Sequence, residues 1–427
     1  MLSWVSILRL GLAQMSLGAV IVLMTSTLNR VMVVELALPA LVPGLLVGLH
    51  YAMQLSRPGW GHWSDLSRRR TPWIIGGMAV LALGGFLAAL GVAIGATMPV
   101  PGLVLSVLAY ALIGIGAGAS GTSVLAFLAA ATAPRRRAAA ATIIWLMMIF
   151  GIAATAGVVG ALLDPYSPAR LLGLVACVSV GAVVLTTLAL LGLEKGGFAP
   201  ALEARQPLRD GIAEIWAEPQ ARRFTQFVFL SMTAYFMQEL ILEPYAGLVF
   251  GFTPGQSTSL SGAQNGGVFL GMLAVGIAAT GLGLGSLRAW VAGGCLGSAV
   301  TLLGIAVIGP LQLNLILPLT ILLGFCNGVF AVAAIGAMMA LAGQGRTDRE
   351  GTRMGLWGAA QAMAAGFGGL LGAVAVDALR LLLAPDLAFA SVFAAEAVLF
   401  LVAAGLALRV IDPGRDRHLS ATLVPGE

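Results

Sequence analysis

The sequence predicts an all-α polytopic membrane protein: twelve transmembrane helices in two six-helix pseudo-repeats, with both termini cytoplasmic. Three observations predict it. The 427-residue chain is 59% hydrophobic and only 10% charged, with a mean hydropathy of +0.98, whereas a soluble domain carries about 25% charged residues. Its apolar residues fall into runs of about 20 or more, long enough to cross the hydrocarbon layer as helices. Its Lys and Arg residues gather in alternate loops. Barrel strands would be shorter and would alternate in polarity, and these runs do neither.

The runs lie at 10–33, 37–56, 72–96, 102–132, 138–162, 168–192, 224–251, 259–283, 287–308, 313–342, 354–378 and 387–409. The first follows Arg9 and closes near Arg30 and Glu35, an outer polar cluster. The second carries His50 and Gln54, one turn apart on one face. GHWSDLSRRR, Gly61–Arg70, separates it from the third. Asp65 with Arg68, Arg69 and Arg70 cannot lie in hydrocarbon, so this stretch is a short loop at a membrane face, and Thr71-Pro72 opens the next helix. The fourth run holds Gly114 and Gly118, and the tenth Gly324 and Gly328, both spaced for close helix approach. Arg135–Arg137 precede the fifth, and Asp164 follows it. The seventh carries Glu239 and Glu243 on one face, then Pro244, which should end or kink the helix. Glu396 stands alone in the twelfth.

With both termini inside, 20 of the 23 Lys and Arg residues face the cytoplasm, leaving Arg30, Arg170 and Arg380 outside. Short basic loops stay cytoplasmic, so this asymmetry supports both the orientation and the even span count. A repeat is visible as well. Trp145, Gly160-Ala161 and Asp164 match Trp357, Gly372-Ala373 and Asp377, at an offset of roughly 210 residues. The expected organisation is a six-helix half at 1–193, a linker at 194–223, a second half at 224–409 and a cytoplasmic tail at 410–427. Within the linker, Leu208, Ile212, Ile215 and Trp216 share one helical face, as in a short helix lying on the inner membrane surface.

Composition narrows the function. The net charge of +5 comes without a basic patch interleaved with aromatics, so nucleic acid is not an expected partner. Cys177, Cys295 and Cys326 lie far apart inside apolar runs and read as buried residues, not a disulfide or metal set. There is no Gly-rich phosphate loop and no metal-ligand cluster, so an enzyme is not expected. The DxxxD spacing of Asp412–Asp416 stands alone, whereas a prenyltransferase needs two such motifs facing each other.

Gly61–Arg70 resembles the loop between helices 2 and 3 of the major facilitator superfamily, although Leu66 and Arg68 depart from the family pattern. The corresponding loop after helix 8, GLGLGSLRAW, keeps Arg288 but lacks the aspartate. Two segments carry a narrower resemblance: LNRVMVVELALPA, Leu28–Ala40, and FLSMTAYFMQELILEPYAGLVFG, Phe229–Gly251, continuing to GQSTSLSGAQNGG. They are similar to the PucC-like light-harvesting-complex assembly, or bacteriochlorophyll-delivery, family of phototrophic bacteria. The resemblance implies a protein of the bacterial cytoplasmic or intracytoplasmic photosynthetic membrane. Such a protein delivers or inserts bacteriochlorophyll, or a late precursor, into light-harvesting polypeptides. Bacteriochlorophyll would be bound as cargo, and bacteriochlorophyll synthase is a further possible partner.

For such cargo the candidate pigment ligands are His50, Gln54, Gln264 and Asn265. His50 is the only histidine inside a span and the candidate axial ligand for the pigment magnesium. Ionisable groups at membrane depth are costly and face the interior. Glu239, Glu243 and Glu396 are therefore the buried acidic candidates, for proton carriage, ligand binding or pairing with Arg30. They keep a second reading open, a proton-coupled transporter of a small hydrophobic or amphipathic solute. A third is a non-catalytic subunit of bacteriochlorophyll synthase.

Overall fold

The computed structural model describes residues 2–57, 60, 69–132, 136–194, 216–342 and 350–411. Gly61, Asp65 and Arg68, and the expected surface helix within 195–215, lie outside these residues. The described residues are helical, with no strand among them. Without water in the bilayer core every backbone N–H and C=O must be satisfied within its own segment, and the helix does this.

Among the described residues twelve α-helices follow in order: α1 Trp4–Val22, α2 Leu41–Met53, α3 Thr71–Gly95, α4 Pro99–Ala131, α5 Arg137–Leu163, α6 Pro168–Leu190, α7 Pro219–Phe250, α8 Pro254–Val275, α9 Leu287–Ile308, α10 Ile316–Ala342, α11 Glu350–Arg380 and α12 Pro385–Val410. Ten of the spans are long and apolar enough to cross a membrane. Leu41–Ser56 is a shorter apolar helix. The remaining one, α7, is 32 residues long but carries Glu239 and Glu243, which lowers its hydropathy. Each helix falls on a run expected from sequence, so the chain is a multi-pass membrane protein.

Helix starts follow local chemistry. Ser3, Ser167 and Ser286 cap α1, α6 and α9 by accepting from the N–H three residues on, as N-cap side chains do. Proline occupies the first turn of α3, α4, α6 and α12, where its missing N–H costs nothing. The start of α3 has a remote cap: the Glu194 carboxylate accepts from the N–H groups of Arg70 and Thr71, at 2.8 and 3.0 Å.

The described residues form two compact units. One gathers those of Met1–Leu202 with Glu239–Asn265 and Gly369–Ala378; the other those of Glu203–Gln238, Gly266–Gly368 and Leu379–Glu427. The end of α7, the first part of α8 and the end of α11 thus pack with the first six helices. Glycine permits close helix contact in each unit. A methyl group on Gly114 of α4 would stand 2.5 Å from the His50 carbonyl oxygen of α2, and one on Gly328 of α10 would collide with the Val268 carbonyl of α8.

Candidate functional site

The polar residues of the first unit concentrate where the end of α1 meets α7. Past Val22, α1 continues as two π-helical stretches, Leu23–Leu28 and Val31–Glu35. Such widened turns shift the side-chain register and recur at functional sites. Here they direct Thr25, Ser26, Asn29 and Arg30 toward α7. Thr25 stands beside the carboxyl group of Glu239. Ser26 Oγ donates to Glu243 Oε1. Asn29 Nδ2 donates to the Leu240 carbonyl at 2.8 Å. Arg30 pairs with Glu35 and donates through Nη2 to the Phe252 carbonyl at 2.6 Å. Thr258 Oγ1 of α8 joins Thr27 Oγ1 at 3.2 Å.

Proline explains one of these contacts. Pro244 has no N–H, so the Leu240 carbonyl four residues earlier loses its helical partner. Asn29 supplies the missing donor. Sequence led us to expect Pro244 to end or kink α7, yet the helix runs on to Phe250. Asn29, Ser26 and Thr25 were not singled out from sequence. The orphan carbonyl four residues before an intramembrane proline is the signal that would have found Asn29.

The cluster is buried but not fully paired. Arg30 is 2% exposed and Glu243 is 3% exposed. Glu243 Oε2 and Arg30 Nε have no hydrogen-bond partner among the described residues. Gly247 of α7 lies against the guanidinium, where a Cβ would sit 3.2 Å from Nη2. Tyr166, in the loop between α5 and α6, lies close to the Arg30–Glu35 pair. Burial, with the Glu35 charge, pushes its phenol above the usual range.

Two carboxylates frame the same unit. Asp164, after α5, accepts from Thr253 Oγ1 at 2.5 Å and from Gly255 N at 3.3 Å, at the start of α8. Asp377, in α11, accepts from the N–H groups of Ala40 and Leu41 at 3.0 and 2.7 Å, at the start of α2. The two repeat-related aspartates thus do the same work, each satisfying orphan donors of a helix N-terminus from another helix.

The other candidates stand apart. His50 is fully buried and its Nε2 is hydrogen-bonded to Gln54 Nε2 at 2.7 Å. Gln54 Oε1 accepts from Arg57, and His50 Nδ1 has no partner among the described residues. Asn265 Nδ2 is turned back to the Ser261 carbonyl at 3.0 Å, and Gln264 is half-buried. In the second unit Glu396 is fully buried, and neither carboxyl oxygen has a partner among the described residues. Of the loop motif, Arg69 and Arg70 are described: Arg69 is exposed, and the Arg70 side chain donates to the Ala126 carbonyl.

The whole fold matches solved transporters. A bacterial homologue of the human lysosomal transporter Spinster, in an inward-facing and occupied conformation, aligns with a TM-score of 0.69 at 14% identity, over 95% of this chain and 96% of that one. The nucleoside transporter NupG aligns with a TM-score of 0.68 at 15% identity, over 95% and 100%. These likenesses establish the major-facilitator fold. Sequence relatives are nearer. The "Bacteriochlorophyll synthase 44.5 kDa chain" of Rhodobacter capsulatus is 64% identical over the full length of both chains. "Protein PucC" of Cereibacter sphaeroides is 32% identical, covering 92% of this chain and 88% of that one. The PUCC protein family matches residues 27–414, and the chain belongs to that family.

Proposed function

We propose that this protein is a non-catalytic assembly factor of the photosynthetic membrane. It hands bacteriochlorophyll, or a late precursor, to light-harvesting polypeptides in the bacterial inner membrane. The observation that carries this reading is the full-length, 64% identity to a protein named as a bacteriochlorophyll synthase chain. PUCC family membership supports it. The name of that relative also supports association with the synthase. Of the polar cluster, Asn29, Arg30, Glu35, Glu239 and Glu243 fall on the two segments that carry the family resemblance. Its hydrogen-bonding groups could meet the polar edge of a tetrapyrrole, while the apolar helices suit its macrocycle and tail.

The test is deletion of the chromosomal gene in the phototrophic host. Cells lacking the protein are expected to lose antenna absorbance while free bacteriochlorophyll synthesis continues, and the purified protein is expected to carry tetrapyrrole absorbance. Unchanged antenna levels in the deletion strain would sink the proposal.

A second reading is favoured by Glu243, a carboxyl group buried beside Ser26 and Ser261 in a fold shared with transporters. In a proton-coupled transporter Glu243 would carry the proton. Glu243→Gln keeps an acceptor for Ser26 but cannot ionise. It is expected to leave antenna assembly intact, whereas loss of a pH-gradient-driven flux in vesicles would favour transport.

A further inference from the structure

A second polar feature lies far from the α1–α7 cluster in sequence and wholly inside the second unit. A pocket of about 370 Å³ opens where α7 and α9 begin and α12 ends. Pro219, Gln220 and Arg223 line it from α7, Arg288 from α9, and Leu408 to Ile411 from the end of α12. Arg223, Arg288 and Arg409 thus line one pocket from three helices. None of them makes a hydrogen bond or ion pair with another described residue, and no described carboxylate lines the pocket.

Arg223 and Arg409 are exposed at the mouth of the pocket and Arg288 is half-buried; with no described carboxylate in the lining, three like charges around one pocket favour an anion there. Guanidinium is suited to phosphate, because its planar fork donates two parallel hydrogen bonds to two oxygens. Helix polarity adds to this. The starts of α7 and α9 present the positive ends of their dipoles, and Arg409 sits in the last turn of α12, offsetting the negative end. Besides Gln220, the rest of the lining is apolar: Pro219, Leu408, Val410 and Ile411. Leu408 is 45% exposed at the rim. Arginines beside apolar side chains, at the end of transmembrane helices, match an anionic headgroup with the first carbons of its chains. A free anion would gain nothing from the apolar part. All three arginines belong to the basic-rich loop set, the side on which anionic lipid attracts basic residues.

We propose that Arg223, Arg288 and Arg409 form a binding site for the phosphate of an anionic glycerophospholipid. The shared chemistry is a phosphate oxyanion, and the test separates lipid from free phosphate. The full chain is placed in phosphatidylcholine nanodiscs and titrated with spin-labelled phosphatidylglycerol. The wild type is expected to immobilise it in preference to labelled phosphatidylcholine. Each of R223Q, R288Q and R409Q should weaken that preference about fivefold, and the triple variant about 100-fold, from the usual contribution of an arginine at an anionic surface. R222Q, an exposed arginine of the same turn that does not line the pocket, should change nothing. If the triple variant misfolds, the three single variants still decide the matter. Equal preference in wild type and all three single variants would overturn the site. Inorganic phosphate, added at constant ionic strength, is the other arm. Weak competition supports a lipid occupant, and complete displacement by millimolar phosphate overturns it in favour of a free anion.

Discussion

Pro244 and Asn29 show how a single residue choice propagates. Proline in α7 strips the Leu240 carbonyl of its partner, and Asn29 in the π-helical part of α1 replaces it at 2.8 Å. Asn29→Ala should therefore destabilise the protein by about 1–2 kcal/mol, an orphaned carbonyl in a membrane interior being costly. Pro244→Ala restores the helical N–H, so the same Asn29→Ala change should cost little in that background. Thermal unfolding of the two single variants and the double variant in detergent measures this, and equal costs in both backgrounds would refute the pairing. Glu396 is the opposite case, a fully buried carboxyl group with no described partner. Glu396→Leu is expected to leave the protein as stable or more stable, by up to about 2 kcal/mol, because desolvation of an unpaired polar group is removed. A lowered melting temperature would reveal a partner for Glu396 beyond the described residues.

At the scale of elements, Asp164 and Asp377 hold helix starts from other helices. The first half places Asp164 after α5 to cap α8, and the second places Asp377 in α11 to cap α2. Gly255 allows the former, since a Cβ there would lie 2.6 Å from the Asp164 carboxylate. Asp164→Ala and Asp377→Ala should each cost about 0.5–2 kcal/mol, the usual range for a lost cap. Hydrogen exchange should rise at the first turn of α8 in the former and of α2 in the latter. Uniform change along the chain would argue against local capping. The repeat was legible in sequence as matched Trp, Gly-Ala and Asp positions. The partners of the aspartates were not, because Asp164 meets residues about 90 positions away and Asp377 meets residues more than 330 away, and no local pattern encodes such separations.

The whole molecule is organised by the bilayer. The charge asymmetry of the sequence leads us to expect both termini inside, a topology that accessibility can check. In a background lacking Cys177, Cys295 and Cys326, Ser64→Cys, between α2 and α3 in sequence, and Ser420→Cys, after α12, should react with a membrane-impermeant thiol reagent only when the cytoplasmic face is exposed. Reaction of either in intact cells would invert the topology.

Sequence by itself determined the helical class, the twelve runs, the repeat and the family, because apolar run length and basic-loop bias are local properties that the bilayer enforces. It also marked Glu239, Glu243, Arg30 and Glu35, since ionisable groups are conspicuous in hydrocarbon. Tertiary structure alone decided what they meet. It gave Glu243 to Ser26 and Arg30 to Glu35, occupied the His50 ring nitrogen with Gln54, and gathered Arg223, Arg288 and Arg409 around one pocket. Those pairings depend on helix packing and on the π-helical turns of α1, which rotate side chains by amounts that no regular 3.6-residue period contains.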